Sequence, residues 1–406
     1  MKIAMLTNNY KPYIGGVPVS IEHLSEELRK LGHEVYIFAP SYKNQKEEPF
    51  VIRYPSFPVG IAGAPVPNVL TGLFRQKMKE LQIDIIHVHH PAIVGNVALC
   101  LRRQLGIPVV FTYHTRYEEY LHYIKPLEQT ERYTGVIDAY LRHFCGQCDM
   151  IFAPTPGILD HLLYEKTVGI PVKVLPTGLP EDSFSPELSE AAHIKEQYLG
   201  KADYLFCTVA RLAKEKNLDF LLESLQRLKE ELAFSGKSFR HLMIGDGPER
   251  EHLEETSRKL GIEQEVIFLG NVENGQIKNY HAACDLFLFA SKSETQGIVV
   301  LEAMAAGNPV VAVEATGVRD VVRHKENGML TAENAESFAK AAEQALCSPG
   351  LYKTLQKGAE KTAAEYGEGM VARQAERHYL QVLNSCQNQK IHAILRLNLK
   401  NSRIGV

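Results

Sequence analysis

A chain of 406 residues is long for one hydrophobic core, so two domains are expected. A content of 45% hydrophobic and 23% charged residues excludes a disordered chain, and a net charge of −3 gives no electrostatic footprint for nucleic acid. Seven cysteines without framework spacing suit a reducing cytosol, and no apolar run is long enough to span a bilayer.

From the N-terminus, MKIAMLTNNY reads as a first strand and not a signal peptide, because its apolar run is very short. A helix SIEHLSEELRKLG follows, then EVYIFAP, DIIHVHH, a helix through VALCLRRQLG, PVVFTYHT, CDMIFAPT and VKVLPTGL. Short apolar runs alternating with helical patterns imply βαβ units and a parallel sheet, here a domain over 1–180. In it, the pair Cys145 and Cys148 has no second pair or ligating histidines nearby and is read as structural. Residues 181–200 mix Pro, Ser and charge and are expected to be a linker.

The pattern then repeats with YLFCTVA, NLDFLLESLQRLKEEL, HLMIGDG, EVIFLGNV, DLFLFAS and PVVAVEA, giving a second domain over 201–365. An amphipathic helix is expected over 366–387, followed by a tail, 388–406, with four basic residues and no acid. The fold class is therefore α/β: two Rossmann-like, doubly wound parallel-sheet domains expected to face each other across a cleft, with ligands at the carboxyl ends of the strands.

The most informative stretch is ETQGIVVLEAMAAG, in which Glu294 and Glu302 flank an apolar run that opens on Gly297. Such a helix should be buried, and a carboxylate there needs a partner, because burying it alone costs several kcal/mol. Gly297 lets a ligand approach the first unpaired N–H groups of the helix, which favour negative charge. Side chains lean toward the N-terminus, so Glu302 can point to the same mouth, where a polyhydroxylated phosphate ester would fit.

Other positions carry weaker signals. Gly15 and Gly16 lie between the first strand and first helix, where backbone can approach an anion, although a tight turn explains them equally well. Arg211 and Lys216, in TVARLAKEKN, sit at the mouth of the second sheet and suit a diphosphate. Gly245 and Gly247 allow either a close nucleotide or a plain structural turn. His114 ends a strand, where it can hydrogen-bond a sugar hydroxyl; His87, His89 and His90 end another and lack a zinc signature. No Asp-x-Asp occurs, so no carboxylate-chelated metal is expected, and Arg211, Lys216 and helix dipoles would meet the leaving-group charge.

Together these residues resemble glycosyltransferase family 4, the retaining enzymes of the GT-B fold. The resemblance covers most of the chain: the glycines at 15–16, YHT at 113–115, ARLAKEKN at 210–217, GDGPE at 245–249, FLGNV at 268–272 and the run from Glu294. It implies a nucleotide-sugar donor and no required cofactor. Glu302 would hold the ribose hydroxyls and Glu294 the donor sugar; Arg211 and Lys216 would grip the diphosphate. Gly16 would touch the diphosphate through its backbone, His114 would face the sugar ring, and Val272 would lie against the base. Thr295 and Gln296 depart from the family's pattern after the first glutamate, which leaves the sugar preference open.

For the acceptor, residues 54–74 carry no charge and four prolines. They lead into a stretch with Val69, Leu70, Leu73, Phe74, Met78 and Leu81 on one side and Arg75, Lys77 and Lys79 around the other. Apolar plus basic suits an anionic bilayer surface, and a loop packed on its own domain is the alternative. The run YHTRYEEYLHYIKP is also similar to bacterial diacylglycerol glucosyltransferases, which implies UDP-glucose as donor, diacylglycerol as acceptor and a place at the cytoplasmic membrane face. Two other expectations stay open: a soluble acceptor such as a sugar phosphate or inositol phosphate, and a Rossmann-type binding protein or dehydrogenase. Against the last, the first βα turn lacks G-x-G-x-x-G.

Overall fold

The computed structural model describes residues 1–13, 15–43, 45–57, 66–68, 72–117, 130–166 and 169–402. They form two compact units: unit 1 comprises Met1–Pro154, Leu159–Gly178 and the chain from Gly369 on, and unit 2 comprises Thr155–Ile158 and Leu179–Glu368.

In chain order the first part forms β1 (Lys2–Leu6), α1 (Gly16–Lys30), β2 (Glu34–Pro40), β3 (Val51–Tyr54) and a short antiparallel pair, β4 (Ser56–Phe57) with β5 (Val66–Pro67). Next come α2 (Leu73–Leu81), β6 (Ile85–Val88), α3 (Val94–Leu105), β7 (Val109–Thr112), α4 (Thr130–Cys145), β8 (Met150–Ala153), α5 (Pro156–His161) and β9 (Val172–Val174). The sheet of unit 1 is parallel, in the order β3-β2-β1-β6-β7-β8-β9. Ile3 stands opposite Val35 on one side and Ile85 on the other. Strands β6, β7 and β8 are buried along their whole length, as in parallel sheets covered on both faces.

Unit 2 continues with α6 (Leu188–Leu199), β10 (Tyr204–Val209), α7 (Leu218–Phe234), β11 (Phe239–Ile244), α8 (Arg250–Lys259), β12 (Val266–Gly270) and α9 (Asn274–Ala283). Then follow β13 (Leu286–Phe289), α10 (Ile298–Ala305), β14 (Val310–Val313), β15 (Gly328–Thr331), α11 (Ala335–Cys347) and α12 (Pro349–Ala364). Its parallel sheet runs β12-β11-β10-β13-β14-β15.

The expected linker is structured. Within 181–200, α6 buries Ala191 and Ile194 in the core of unit 2, and Lys195 donates to Asp285 Oδ1 at 2.6 Å. The Pro and Ser residues mark the turn ahead of α6, and its two-residue apolar face is too small to stand out from the charges around it.

The end of the chain also differs from expectation. One helix, α13 (Glu368–Ser402), replaces the separate helix and tail, and residues 403–406 lie outside the described residues. Val371, Ala372, Ala375, Tyr379 and Val382 recur at helical spacing and are buried in the core of unit 1. Gln374 Nε2 donates to the carbonyl of Val174 at 2.8 Å, which ties α13 to β9.

The amphipathic face, for which the sequence leaves a membrane surface and packing on its own domain both open, is partly internal. Phe74 and Met78 of α2 are buried, and the Phe74 ring lies 5.8 Å from Phe38 and 5.0 Å from Tyr54. The aromatic core of unit 1 takes up that face. Val69, Leu70 and residues 58–65 and 118–126 lie outside the described residues. No helix among the described residues is long and apolar enough to cross a membrane.

Candidate active site

In each sheet the chain reverses its direction of travel at one place, and ligands of doubly wound sheets bind outside the strand ends there. In unit 2 the switch lies between β10 and β13, in unit 1 between β1 and β6. Arg211, Lys216, Glu294 and Gly297 lie on the loops that leave β10 and β13, and Gly15, Gly16, His89 and His90 on those that leave β1 and β6.

At the switch of unit 2, the loop leaving β10 carries Arg211, which is exposed, and a turn at Lys214–Lys216. Asn217 then takes a left-handed conformation, φ 55°, and leads into α7. Its side-chain amide donates to the Ala290 carbonyl at 3.3 Å and to Glu333 Oε1 at 2.9 Å, fixing this loop to the end of β13. Lys216 Nζ donates to Glu294 Oε1 at 2.6 Å, and Ser291 Oγ donates to the same oxygen at 2.7 Å.

Both partners of this ion pair are mostly enclosed, with 18% and 19% of their side chains exposed. Burial alone pushes the Glu294 carboxyl up, but the Lys216 ammonium and the two hydrogen bonds outweigh it and hold the group below its ordinary value. Glu294 is therefore ionised at neutral pH. Two groups expected to grip separate parts of a ligand are thus joined directly to each other.

Gly297 follows at φ 74°, a left-handed position where a side chain would be strained, and it starts α10. The helix buries Val300, Leu301, Ala303, Met304 and Ala305, in line with its apolar sequence. Among the described residues it has no side-chain cap and no acid in its first turn, so its leading N–H groups favour an anion. Glu302 lies one turn on and is half-buried. Val272 follows β12 and packs partly against the core.

The glycines at 245 and 247 answer to the protein's own backbone. A Cβ on Gly245, whose φ is 127°, would lie 1.9 Å from the Ala210 carbonyl oxygen, and one on Gly247 would lie 2.3 Å from that of Leu212. They let the loops after β10 and β11 pack together.

At the switch of unit 1 the chemistry is neutral. Gly15 and Gly16 start α1, which among the described residues has neither a side-chain cap nor an acid in its first turn. His114 follows β7, and its Nε2 lies 2.8 Å from Nδ1 of His89, at the end of β6. The neighbouring His90 accepts at Nδ1 from the Asn8 N–H, 3.2 Å away. His87 is bound at both nitrogens, to Thr112 Oγ1 at 2.6 Å and to the Tyr379 hydroxyl at 2.8 Å.

Burial holds His87 down to about 3 and His90 to about 4. Burial, and then the neighbouring histidines, push His89 and His114 well below the ordinary range. All four are neutral at pH 7. Among the described residues no group of three or more His, Cys, Asp or Glu is arranged to hold a metal ion.

Sequence reasoning missed Ser291, although its place three residues before Glu294 is a usable signal. It also missed His89, because the strand-end histidines were tested only as metal ligands.

Two family models match: "Glycosyltransferase Family 4" over residues 14–183 and "Glycosyl transferases group 1" over residues 190–362. The alpha-monoglucosyldiacylglycerol synthase of Acholeplasma laidlawii is 30% identical over 97% of this chain and 100% of its own length. The chain belongs to glycosyltransferase family 4. The family 4 assignment closes the binding-protein and dehydrogenase alternative. A second relative, the alpha-monoglucosyldiacylglycerol synthase of Streptococcus pneumoniae, is 33% identical over 81% of this chain and 75% of its own.

Among solved structures, sucrose-phosphate synthase from Thermosynechococcus elongatus has a TM-score of 0.79 at 19% identity, covering 95% of this chain and 99% of that one. Anabaena HepE in complex with UDP-glucose has a TM-score of 0.73 at 20% identity, covering 95% and 100%. These likenesses show the GT-B fold of this family 4 glycosyltransferase.

Proposed function

We propose that this enzyme transfers glucose from UDP-glucose to diacylglycerol, with retention of the anomeric configuration, at the cytoplasmic face of a membrane. The observation that carries the donor half is the Lys216–Glu294 pair beside the uncapped head of α10 at the switch of unit 2. An ammonium has three donors, so Lys216 can keep its bond to Glu294 and also reach a phosphate oxygen. Arg211 supplies a second cation, and the leading amides of α10 a third source of positive potential. Together they would stabilise the charge that grows on the leaving diphosphate. Glu294 would then contact donor-sugar hydroxyls, Glu302 the ribose and Val272 the base, while in unit 1 Gly16 would offer backbone to the diphosphate and His114 would face the sugar.

Support for the acceptor half comes from relatives named as monoglucosyldiacylglycerol synthases, one alike over its full length. The test is a panel of nucleotide sugars incubated with diacylglycerol micelles. Glucolipid formed from UDP-glucose alone is the expected product, and a panel without any glycolipid would refute the acceptor.

A second reading keeps the chemistry but gives the enzyme a soluble acceptor, such as a sugar phosphate or inositol phosphate. The internal packing of Phe74 and Met78 favours it, because that face is withdrawn from any membrane. Co-sedimentation with liposomes separates the two: the lipid enzyme pellets with vesicles containing anionic lipid, whereas the soluble-acceptor enzyme stays in the supernatant.

A further inference from the structure

His89 has no task in the chemistry described so far, yet its environment is unusually specific. It is 1% exposed, its backbone N–H donates to the Leu6 carbonyl at 3.0 Å, and its ring lies 4.2 Å from that of His87. His87 is itself fixed by Thr112 and Tyr379. The rings of His89 and His114 have centroids 5.1 Å apart and planes within 21°. With nitrogens at 2.8 Å, that separation fits an almost in-plane N–H···N bond and not face-to-face stacking.

Two neutral imidazoles joined by one such bond share a single proton between the facing nitrogens, so the tautomer of each fixes that of the other. The far nitrogen of His89 decides the direction. Its Nε2 is buried and has no hydrogen-bond partner among the described residues. If His114 donated, His89 would have to carry its own proton on Nε2, an N–H buried without an acceptor. If His89 donates from Nδ1, only a lone pair is left unmatched, the less unusual of the two orphans.

We propose that His89 is a positioning residue for His114: it donates from Nδ1 to His114 Nε2 and thereby holds His114 in the tautomer protonated at Nδ1. His114 then offers a donor, not an acceptor, to an oxygen of the sugar. This rests on the reading of His114 as the group that faces the donor sugar.

The experiment is long-range 1H–15N correlation of ring-labelled histidine in the full chain, with His114 assigned by its loss in His114→Ala. The same preparations are assayed for turnover of the nucleotide sugar. The wild type should show the Nδ1–H tautomer at His114. His89→Asn, whose amide can donate from nearly the same place, should keep that tautomer and most of the turnover. His89→Phe should lose the single tautomer and lower kcat by roughly 10- to 100-fold with little change in KM, the usual scale for a residue that orients another.

A His114 protonated on Nε2 in the wild type would overturn the proposal, and so would His89→Phe with tautomer and kcat unchanged. If His89→Phe does not fold, the wild-type and His89→Asn spectra decide. Full turnover in His114→Ala would instead refute the role of His114, while the spectra still test the coupling.

Discussion

At the switch of unit 2 a carboxylate and an ammonium are bonded at 2.6 Å, and both stay charged; at the switch of unit 1 four histidines, His87 and His89 buried and His90 and His114 half-buried, are uncharged. A leaving diphosphate needs cations and oriented amides, and Lys216, Arg211 and the head of α10 are groups of that kind in unit 2. A sugar carries hydroxyls and no charge, and uncharged imidazoles can bond to it without attracting the phosphates. On the proposed function, the two edges would divide the recognition of an anion from the recognition of an alcohol.

The largest effect is expected where the charges are. Lys216→Met should lower turnover by about 10²- to 10³-fold, the scale of removing one group that stabilises developing charge. Adding Glu294→Gln should recover part of the lost stability, because the first change leaves a carboxylate enclosed without its cation, but should not recover turnover. Steady-state kinetics and urea unfolding of the single and double variants test this; near-wild-type turnover in Lys216→Met would remove the charged half of the comparison.

Gly245→Ala should cost about 3 kcal/mol or more of stability, since the new Cβ meets the Ala210 carbonyl at 1.9 Å in a positive-φ position. Calorimetric melting reads it, and an unchanged Tm would argue that the glycine serves a ligand instead.

Acid separates the two edges. A buried histidine binds its proton less readily folded than unfolded, so stability falls as pH drops below the ordinary 6.5 and keeps falling toward about 4 for His90 and about 3 for His87. Each such group contributes about 1.4 kcal/mol per pH unit within that window. Glu294 has its carboxyl held low, so the stability from its ion pair is complete above the ordinary 4.5 and lost only as pH falls through the lower folded value. Hydrogen exchange from pH 7 to 5 should therefore show unit 1 loosening first. His87→Gln should make that slope shallower, and an unchanged slope would contradict the neutral cluster.

The smallest effect belongs to Ser291→Ala, which removes one hydrogen bond to Glu294 and should cost about 1–2 kcal/mol. Urea unfolding measures it, and a loss of turnover approaching that of Lys216→Met would show that the serine does more than steady the carboxylate.

Both parallel sheets were legible because short apolar runs and helical patterns alternate, a signal that survives without knowledge of long-range contacts. The buried character of α10 was equally legible from IVVLEAMA. Pairing was not: nothing in the spacing of Lys216 and Glu294, 78 residues apart, says that they bond to each other. The glycines of GDG read equally as a ligand loop or a structural turn, because sequence does not reveal the backbone of residues 210–212 beside them. Whether the apolar face of α2 packs internally stayed open for the same reason, since its partners Phe38 and Tyr54 come from earlier strands.

Tyr379 is anchored to His87 across 292 positions of chain, and α13 completes the core that β1 begins. Synthesis runs from one end only, so the first unit must wait with an open flank while Leu179–Glu368, a nearly continuous stretch, emerges and can collapse by itself. The part of the enzyme made first is then the part that matures last, and a ribosome stalled anywhere before residue 371 releases a product whose opening half lacks its closing piece.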